Sequence, residues 1–312
     1  TFNVDSTLYE YYQRCQEYLL EPVVLNMSDT LFRMAGERQD ERMQAVAIAT
    51  QLDYYYFQGT NEDSVIHYTN KVKEFAKATH QPKYYYFAWA NRLITYYLKT
   101  SRTNIALYEV QNMLKEAQEE DDKTGLSRCY NIMSQIYTIK RFDSMAFEWR
   151  LKEIELTEKY KLENYNISQT YAQIANYYIN QKKQKEALAA VEKAIATANS
   201  STQQISAKLE FVNYYSKFGD FQAAEKLLKE CQAAFEQDKR LESIKKRLYN
   251  IECLYYQQTK QYQKALEAAK MQEKEERRLS ESILSSIHYR TQGEIYQKMG
   301  NMNLAVKYLQ MY

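Results

Sequence analysis

A tyrosine that recurs about every 40 residues constrains the fold of this 312-residue chain more than any other feature. Successive copies lie 37, 42, 40, 41, 37, 41 and 40 residues apart, at Tyr18, Tyr55, Tyr97, Tyr137, Tyr178, Tyr215, Tyr256 and Tyr296. Self-similarity at a period of about 20–50 residues is typical of repeat proteins, in which each repeat is one supersecondary unit. We therefore number the positions of each repeat from its tyrosine, which is position 0.

Two further positions recur in every repeat. At position +4 the side chain is polar or favours a turn: Pro22, Gly59, Ser101, Arg141, Lys182, Gly219, Lys260 and Gly300. At position +9 it is small or slim: Met27, Ser64, Ala106, Ala146, Ala187, Ala224, Ala265 and Ala305. The residue at +4 predicts the end of a first helix, called helix A, and the small residue at +9 predicts a close crossing with a second, helix B. Each repeat is therefore predicted to be a helical hairpin.

Positions −7, −3 and 0 fall on one face of helix A, and we expect this face to lie in the core. In the fifth repeat these positions are Tyr171, Ala175 and Tyr178. The chain has only 6 Gly and 2 Pro, too few for the turns of a many-stranded sheet protein. The sequence predicts an all-α fold.

The sequence contains no motif of a known type of enzyme or metal site. The formal net charge of +2 gives no argument for nucleic acid or a membrane surface as a partner. No glycine-rich phosphate loop occurs, because the closest pair is Gly293 and Gly300. The only histidines are His67, His80 and His288, and no CxxC or HExxH motif is present. We expect a protein that is not an enzyme, without metal or cofactor.

The four cysteines are expected to be buried thiols. Cys15 and Cys253 occupy position −3, which should be in the core. Cys231 lies near the end of the sixth hairpin, next to the helix that carries Cys253, so a disulfide between these two remains open.

The pattern GxxYxxxGxxxxA, complete at Gly293, Tyr296, Gly300 and Ala305, resembles the tetratricopeptide repeat (TPR). The resemblance covers the whole chain and is strongest in its last four repeats. Two features depart from the family: the period is about 40 residues instead of about 34, and the closing Pro is missing from almost every repeat.

The resemblance implies a right-handed α-solenoid of about eight TPR-like hairpins in a single domain over residues 1–312. The expected hairpins span residues 6–36, 41–79, 83–119, 123–160, 165–199, 203–237, 242–278 and 281–312. The chain begins at Thr1 without Met and stops at Tyr312 inside an apolar helical run. We expect a processed or shortened start, and an end that truncates the last hairpin.

Solenoids of this kind bind peptides or proteins on the concave surface formed by successive A helices, which positions −6 and −2 should line. Asn fills five of these sixteen positions, whereas 17 Asn in 312 residues predict about one. An amide offers both a donor and an acceptor to an extended peptide. The candidate peptide groove therefore comprises Asn91, Asn131, Gln135, Asn176, Asn213 and Asn250. A solvated face on which Asn is merely tolerated is the alternative.

Two dense aromatic runs, residues 54–57 and 84–89, could be packing residues or a partly exposed binding surface. The long period and the richness in Tyr, Gln and Lys are similar to extracytoplasmic TPR sensor regions of Bacteroidetes-type histidine kinases or helix-turn-helix regulators. That resemblance implies a periplasmic peptide or protein sensor that contacts no nucleic acid itself and reaches the membrane only through a segment outside this chain. A cytoplasmic peptide-pheromone receptor, or a scaffold or assembly adaptor, is the alternative.

Overall fold

A computed structural model of the protein describes residues 5–278 and 285–312, and all regular secondary structure in this part of the chain is helical. The predicted all-α fold is confirmed: sixteen helices follow one another here as consecutive hairpins. Backbone contacts divide the chain into two compact units, unit 1 (Thr1–Leu162) and unit 2 (Glu163–Tyr312). The organisation of residues 1–312 as a single domain stays a prediction.

Unit 1 contains four hairpins, in which the odd-numbered helices are A helices and the even-numbered ones are B helices. Its helices are α1 (Ser6–Glu17), α2 (Val23–Glu37), α3 (Glu41–Gln58), α4 (Glu62–Ala78), α5 (82–99), α6 (Thr103–Glu119), α7 (Lys123–Ile139) and α8 (Asp143–Tyr160). Helix α5 is continuous but changes its winding: α-helical Pro82–Tyr86 runs into a π-helical segment, Phe87–Ile94, and then α-helical Thr95–Lys99.

Unit 2 repeats the same alternation of A and B helices. Its helices are α9 (Ile167–Asn180), α10 (Gln184–Ala196), α11 (Ser201–Phe218), α12 (Phe221–Gln237), α13 (Lys245–Gln258), α14 (Tyr262–Arg278), α15 (Ser285–Lys298) and α16 (Met302–Met311). A short 3₁₀ helix, Lys239–Ile244, precedes α13.

The turn predicted at position +4 has the same backbone conformation in seven of the eight hairpins. The exception is Pro22, whose ring keeps φ negative, at −57°. The left-handed residues have φ between 58° and 90°, and they are Gly59, Ser101, Arg141, Lys182, Gly219, Lys260 and Gly300. In six hairpins the N–H at +5 then donates to the carbonyl of the repeat tyrosine, as Arg102 does to Tyr97 at 2.8 Å. This is the Schellman arrangement that ends a helix, and it explains why the turn follows the tyrosine at a fixed distance.

The second hairpin has one extra residue in this turn. The Gly59 N–H itself donates to the Tyr55 carbonyl at 3.1 Å, and helix α4 begins after the N-cap Asn61, two residues past Gly59. The other left-handed turns have no residue between the left-handed residue and the N-cap of helix B; Gly219, for example, is followed directly by the N-cap Asp220.

In unit 1, helix B packs through four buried positions spaced by 4, 3 and 4 residues. In α6 they are Ala106, Val110, Met113 and Ala117, all 0% exposed. The same spacing selects Val24, Ser28, Leu31 and Ala35 in α2, and Val65, Thr69, Val72 and Ala76 in α4. The prediction that Met27 and Ser64 lie at the close helix crossing is therefore wrong, because Val24 and Val65 are the buried equivalents of Ala106. The extra turn residue accounts for the shift of one position in α4.

Position −3 of helix A is buried in every hairpin: Cys15, Leu52, Ile94, Ser134, Ala175, Val212, Cys253 and Gly293. The repeat tyrosines are mostly half-buried, and their rings pack on neighbouring rings, such as Tyr55 on Tyr68 at 5.1 Å between centroids. All four cysteines are buried free thiols, so Cys231 and Cys253 form no disulfide. Burial raises the pKa of the Cys231 thiol to about 11, which keeps it protonated at neutral pH. Among the helices described, none has the length and apolar character needed to cross a membrane.

Candidate functional site

The predicted groove residues are divided between the two units. Asn91, Asn131 and Gln135 belong to unit 1, on α5 and α7, whereas the other three belong to unit 2, on α9, α11 and α13. We call the surface formed by the successive A helices of a unit its A-helix face, and we describe it for each unit separately. We start with unit 2, where three successive A helices share one hydrogen-bond network.

A buried carboxylate, Glu210 of α11, is the centre of that network. Its side chain is 2% exposed, and the amide of Asn213 donates to it at 2.8 Å. The amide of Asn176 on α9 donates to the same oxygen at 3.2 Å, and Nη2 of Arg247 on α13 donates to the other at 2.8 Å. Burying a carboxylate is costly unless it is paired and hydrogen-bonded, and here three helices supply the donors. Glu210 thus fixes Asn176 and Arg247 relative to one another.

The network shows which hydrogen bonds the predicted amides form within the protein. Asn213 is 8% exposed and faces Glu210. Asn176 uses its amide nitrogen on Glu210, while its oxygen accepts from Asn180 at 3.2 Å. Asn250 is exposed on α13. Two of the three predicted amides in unit 2 therefore form hydrogen bonds within the protein.

A cavity of about 400 Å³ opens beside this network. It is lined mainly by residues from the beginnings of α9, α11 and α13 and from the 3₁₀ helix: Ser168, Gln169, Ala172, Thr202, Gln203, Ser206, Ala207, Ser243, Ile244, Lys246 and Arg247. Gln169, Ser206 and Arg247 all occupy position −9, about one turn before the predicted positions at −6. The sequence signal was a run of polar residues at −9, which the choice of −6 and −2 missed.

The lining of this cavity is polar and partly pre-arranged. Ser168 donates to the Ala194 carbonyl at 2.7 Å, and Gln203 donates to the Tyr165 carbonyl at 2.7 Å. Arg247 reaches the Ser206 carbonyl with Nε at 3.4 Å while Glu210 holds Nη2. A cavity with hydroxyls, amides and a fixed guanidinium suits a ligand with several hydrogen-bonding groups, such as a peptide backbone.

In unit 1 a second buried carboxylate engages two of the predicted residues. Asn131 donates its amide to both oxygens of Glu153, at 3.3 and 3.2 Å, and accepts from Gln135 at 2.7 Å. Glu153 is 1% exposed on α8, at the position that Met113 occupies in α6. One helical turn earlier, Arg150 is 7% exposed and donates to Thr138 at 2.7 Å. The fourth hairpin therefore carries charge at positions that are apolar in the third.

The π-helical segment of α5 carries Asn91 and Arg92. The Asn91 side-chain oxygen is buried and has no hydrogen-bond partner among the described residues. Arg92 forms an ion pair with Asp53 on α3, and its guanidinium lies 4.8 Å from the Tyr56 ring and 4.5 Å from the Phe87 ring. The two aromatic runs thus meet around one cation, a favourable arrangement when partly desolvated. Most of their rings pack, and Phe57, 48% exposed, faces solvent.

No protein-family model matches the sequence, and no curated protein matches it. Among solved structures, the chain is similar to a Rap protein complexed with competence and sporulation factor, at 11% identity and a TM-score of 0.57, over 98% of this chain and 96% of that one. It is similar to the apo form of RapI at 13% identity and a TM-score of 0.50, with coverages of 98% and 96%. A STAND ATPase from Pyrococcus horikoshii with a tetratricopeptide repeat sensor matches at 13% identity and a TM-score of 0.52, over 99% of this chain and 53% of that one. At these identities the matches show a shared TPR-like fold.

Proposed function

We propose that the chain is a non-catalytic peptide- or protein-recognition module that receives its ligand on the A-helix face of unit 2. The observation that carries the proposal is the Glu210 network, which joins three successive A helices. Burying this carboxylate costs free energy, and the network uses it to hold the Arg247 guanidinium in the wall of a polar cavity. The polar cavity beside it has the volume of a small-ligand site, about 300–1,000 Å³.

In this proposal, the residues divide into two groups. Gln169, Ser206 and Arg247 line the cavity and contact the ligand. Asn176 and Asn213 act through Glu210, which sets the direction of the Arg247 guanidinium. An extended peptide would satisfy these side chains along its backbone. Asn250 remains a predicted contact for the rest of the peptide, and the groove role of Asn91, Asn131 and Gln135 in unit 1 stays a prediction.

The wider role we propose is the sensor region of a bacterial signal-transduction regulator, working on the extracytoplasmic side of the membrane. The long repeat and its composition support this role, as does the similarity to a protein whose TPR array is described as a sensor. A signal peptide and a downstream membrane helix in the full-length gene are the expected findings.

The alternative is a cytoplasmic peptide receptor, and the Rap structure favours it because that protein was solved in complex with competence and sporulation factor and the match covers 98% of this chain. A DNA-binding domain before residue 1 in the full-length gene would support the receptor. Two unrelated proteins that bind the chain together would support a scaffold or adaptor.

A displayed library of random peptides, selected on the immobilised full chain, tests the proposed site without knowledge of the natural ligand. Peptides that bind the parent protein should bind the Arg247→Ala variant at least about tenfold more weakly, because a hydrogen bond from a charged donor contributes about 1.5–3 kcal/mol. Fluorescence anisotropy of the labelled peptides measures the loss.

Lys229→Ala is the matched control, since Lys229 is a 70%-exposed cation on the B helix α12 of the same unit. It should leave the affinity unchanged. Selected peptides that bind Arg247→Ala and Lys229→Ala equally well would place the ligand elsewhere.

A further inference from the structure

A second cavity, of about 320 Å³, lies in unit 1 where the second and third hairpins are joined. The residues of its wall that matter here are Lys77, Gln81, Tyr85, Tyr86, Glu120 and Asp122. All of them come from the ends of α4 and α6, the start of α5 and the N-cap of α7. The cavity is separate from the proposed peptide site of unit 2.

Two polar atoms of this wall are buried without a hydrogen-bond partner among the described residues. One is the hydroxyl of Tyr86, whose side chain is 1% exposed. The other is the Gln81 side-chain oxygen, although the amide nitrogen of the same residue donates to Thr79 at 2.7 Å. Leaving a buried donor or acceptor unpaired costs about 1–3 kcal/mol, so such atoms are rare unless something binds them.

The position of the Tyr86 ring depends on a glycine in the first turn of α7. A Cβ atom on Gly125 would lie 2.4 Å from Cζ of Tyr86, so any larger residue would push the ring away. The Gly125 N–H donates to the N-cap Asp122 at 2.9 Å, and Asp122 lines the same cavity as Tyr86.

The surroundings of the cavity carry an excess of negative charge. Lys77 lies 3.3 Å from Glu120 and 3.5 Å from Glu116, and Asp122 adds a third carboxylate. With Lys73 beside the Tyr85 ring, these five side chains carry a formal net charge of −1. Burial and these three carboxylates, led by Asp122, raise the pKa of Tyr86. The Tyr85 ring in the same wall already attracts cations, since Lys73 lies 5.0 Å and Lys77 5.8 Å from its centroid.

We propose that this cavity binds the protonated primary amine of a small molecule. The Gln81 oxygen, the Tyr86 hydroxyl oxygen and the Asp122 carboxylate accept from the ammonium group, and the Tyr85 and Tyr86 rings contact the attached carbon chain. An anion is disfavoured by the net charge, and a neutral alcohol loses the attraction of the three carboxylates. The volume fits a molecule of the size of an alkylamine or an amino-acid derivative.

Isothermal titration of the full chain with three probes of similar shape tests the proposal. Butylamine should bind, whereas butanol and butyrate should bind at least about tenfold more weakly. Tyr86→Phe should weaken butylamine binding about tenfold, because one acceptor is lost. Tyr255→Phe is the matched control, since Tyr255 is 6% exposed in unit 2 and should bind butylamine like the parent protein.

Gln81→Met serves as a second variant and should also weaken butylamine binding. Equal binding of the three probes, or unchanged butylamine binding by both Tyr86→Phe and Gln81→Met, would overturn the proposal. The absence of butylamine binding to the parent protein would also overturn it. If Tyr86→Phe then also lowers the melting temperature, the hydroxyl is satisfied by an ordered water alone.

Discussion

The A-helix faces of the two units are built on the same hairpin but differ in chemistry. In unit 1 the face gathers aromatic rings around the Arg92–Asp53 ion pair, on a helix that is π-helical over Phe87–Ile94. The buried carboxylate that its amide Asn131 meets, Glu153, lies on a B helix. In unit 2 the face gathers amides and hydroxyls around a single buried carboxylate, Glu210. The third and fourth hairpins of unit 1 have the same left-handed turn and buried alanine as those of unit 2. The repeat therefore fixes the backbone there and leaves the A-helix face free to vary.

The difference also concerns burial. Asp53 and Arg92 are each 16% exposed, so water still stabilises their charges. Glu210 is 2% exposed and depends on its protein donors. A π-helical segment often marks a functional site in other proteins, yet here the better-prepared polar cavity lies in the unit whose A helices are α-helical in the described residues. This contrast supports our proposal that ligand recognition lies in unit 2.

Removing the two acidic residues should give the largest difference between the units. Glu210→Ala should lower the free energy of unfolding by about 3 kcal/mol, because it leaves Arg247 and two amides without their acceptor. Asp53→Ala should cost about 1 kcal/mol, since its partner can be solvated. Urea unfolding followed by circular dichroism measures both. Glu225→Ala, which removes the exposed Glu225–Lys229 pair, is the control and should change the free energy of unfolding little. If Glu210→Ala changed it no more than this control, Glu210 would not be the centre of the network.

Enlarging the crossing residue should affect both units alike. Ala106 and Ala224 are 0% exposed, so Ala106→Leu and Ala224→Leu should each overpack a hairpin and cost about 1–3 kcal/mol. Thermal unfolding of each variant checks this. Ala233→Leu, at an exposed position of α12, should stay within about 0.5 kcal/mol of the parent. An unchanged melting temperature for either buried variant would mean that the hairpin register is wrong there.

Replacing a left-handed turn residue by glycine should give the smallest effect, and a stabilising one. Lys182 has φ 58° and Arg141 has φ 61°, a conformation that costs a side-chain-bearing residue about 1 kcal/mol. Lys182→Gly and Arg141→Gly should therefore raise the free energy of unfolding by up to about 1 kcal/mol. Lys185→Gly, just inside α10, should lower it by about the same amount. Destabilisation by both turn variants would contradict the assigned turn.

The sequence predicts the hairpins well because their signals are local. The turn at +4 and the buried alanines at +9 depend on residues within one hairpin, such as Gly219 and Ala224. One of the two exceptions has a local cause as well: one extra residue before Asn61 moves the buried position from Ser64 to Val65.

The candidate site was harder to predict because its contacts join distant parts of the chain. Glu210 reads as an ordinary surface acid in the sequence, and its partners Asn176 and Arg247 are 34 and 37 residues away. Asn enrichment at −6 and −2 drew attention to Asn176 and Asn213, but it could not show that they bond to a buried acid. The polar residues at −9 are present in the sequence, but the cavity that they line forms only where α9, α11 and α13 lie side by side.

Photo-cross-linking of a selected peptide to the full chain tests the central claim most directly. A peptide that carries a photoreactive group, cross-linked and digested for mass spectrometry, should attach to Gln169, Gln203 or Lys246, which line the cavity at the beginnings of the A helices. Excess unlabelled peptide should abolish the signal. Cross-links confined to the B helices α10 and α12, or to unit 1, would contradict the assignment of ligand recognition to the A-helix face of unit 2.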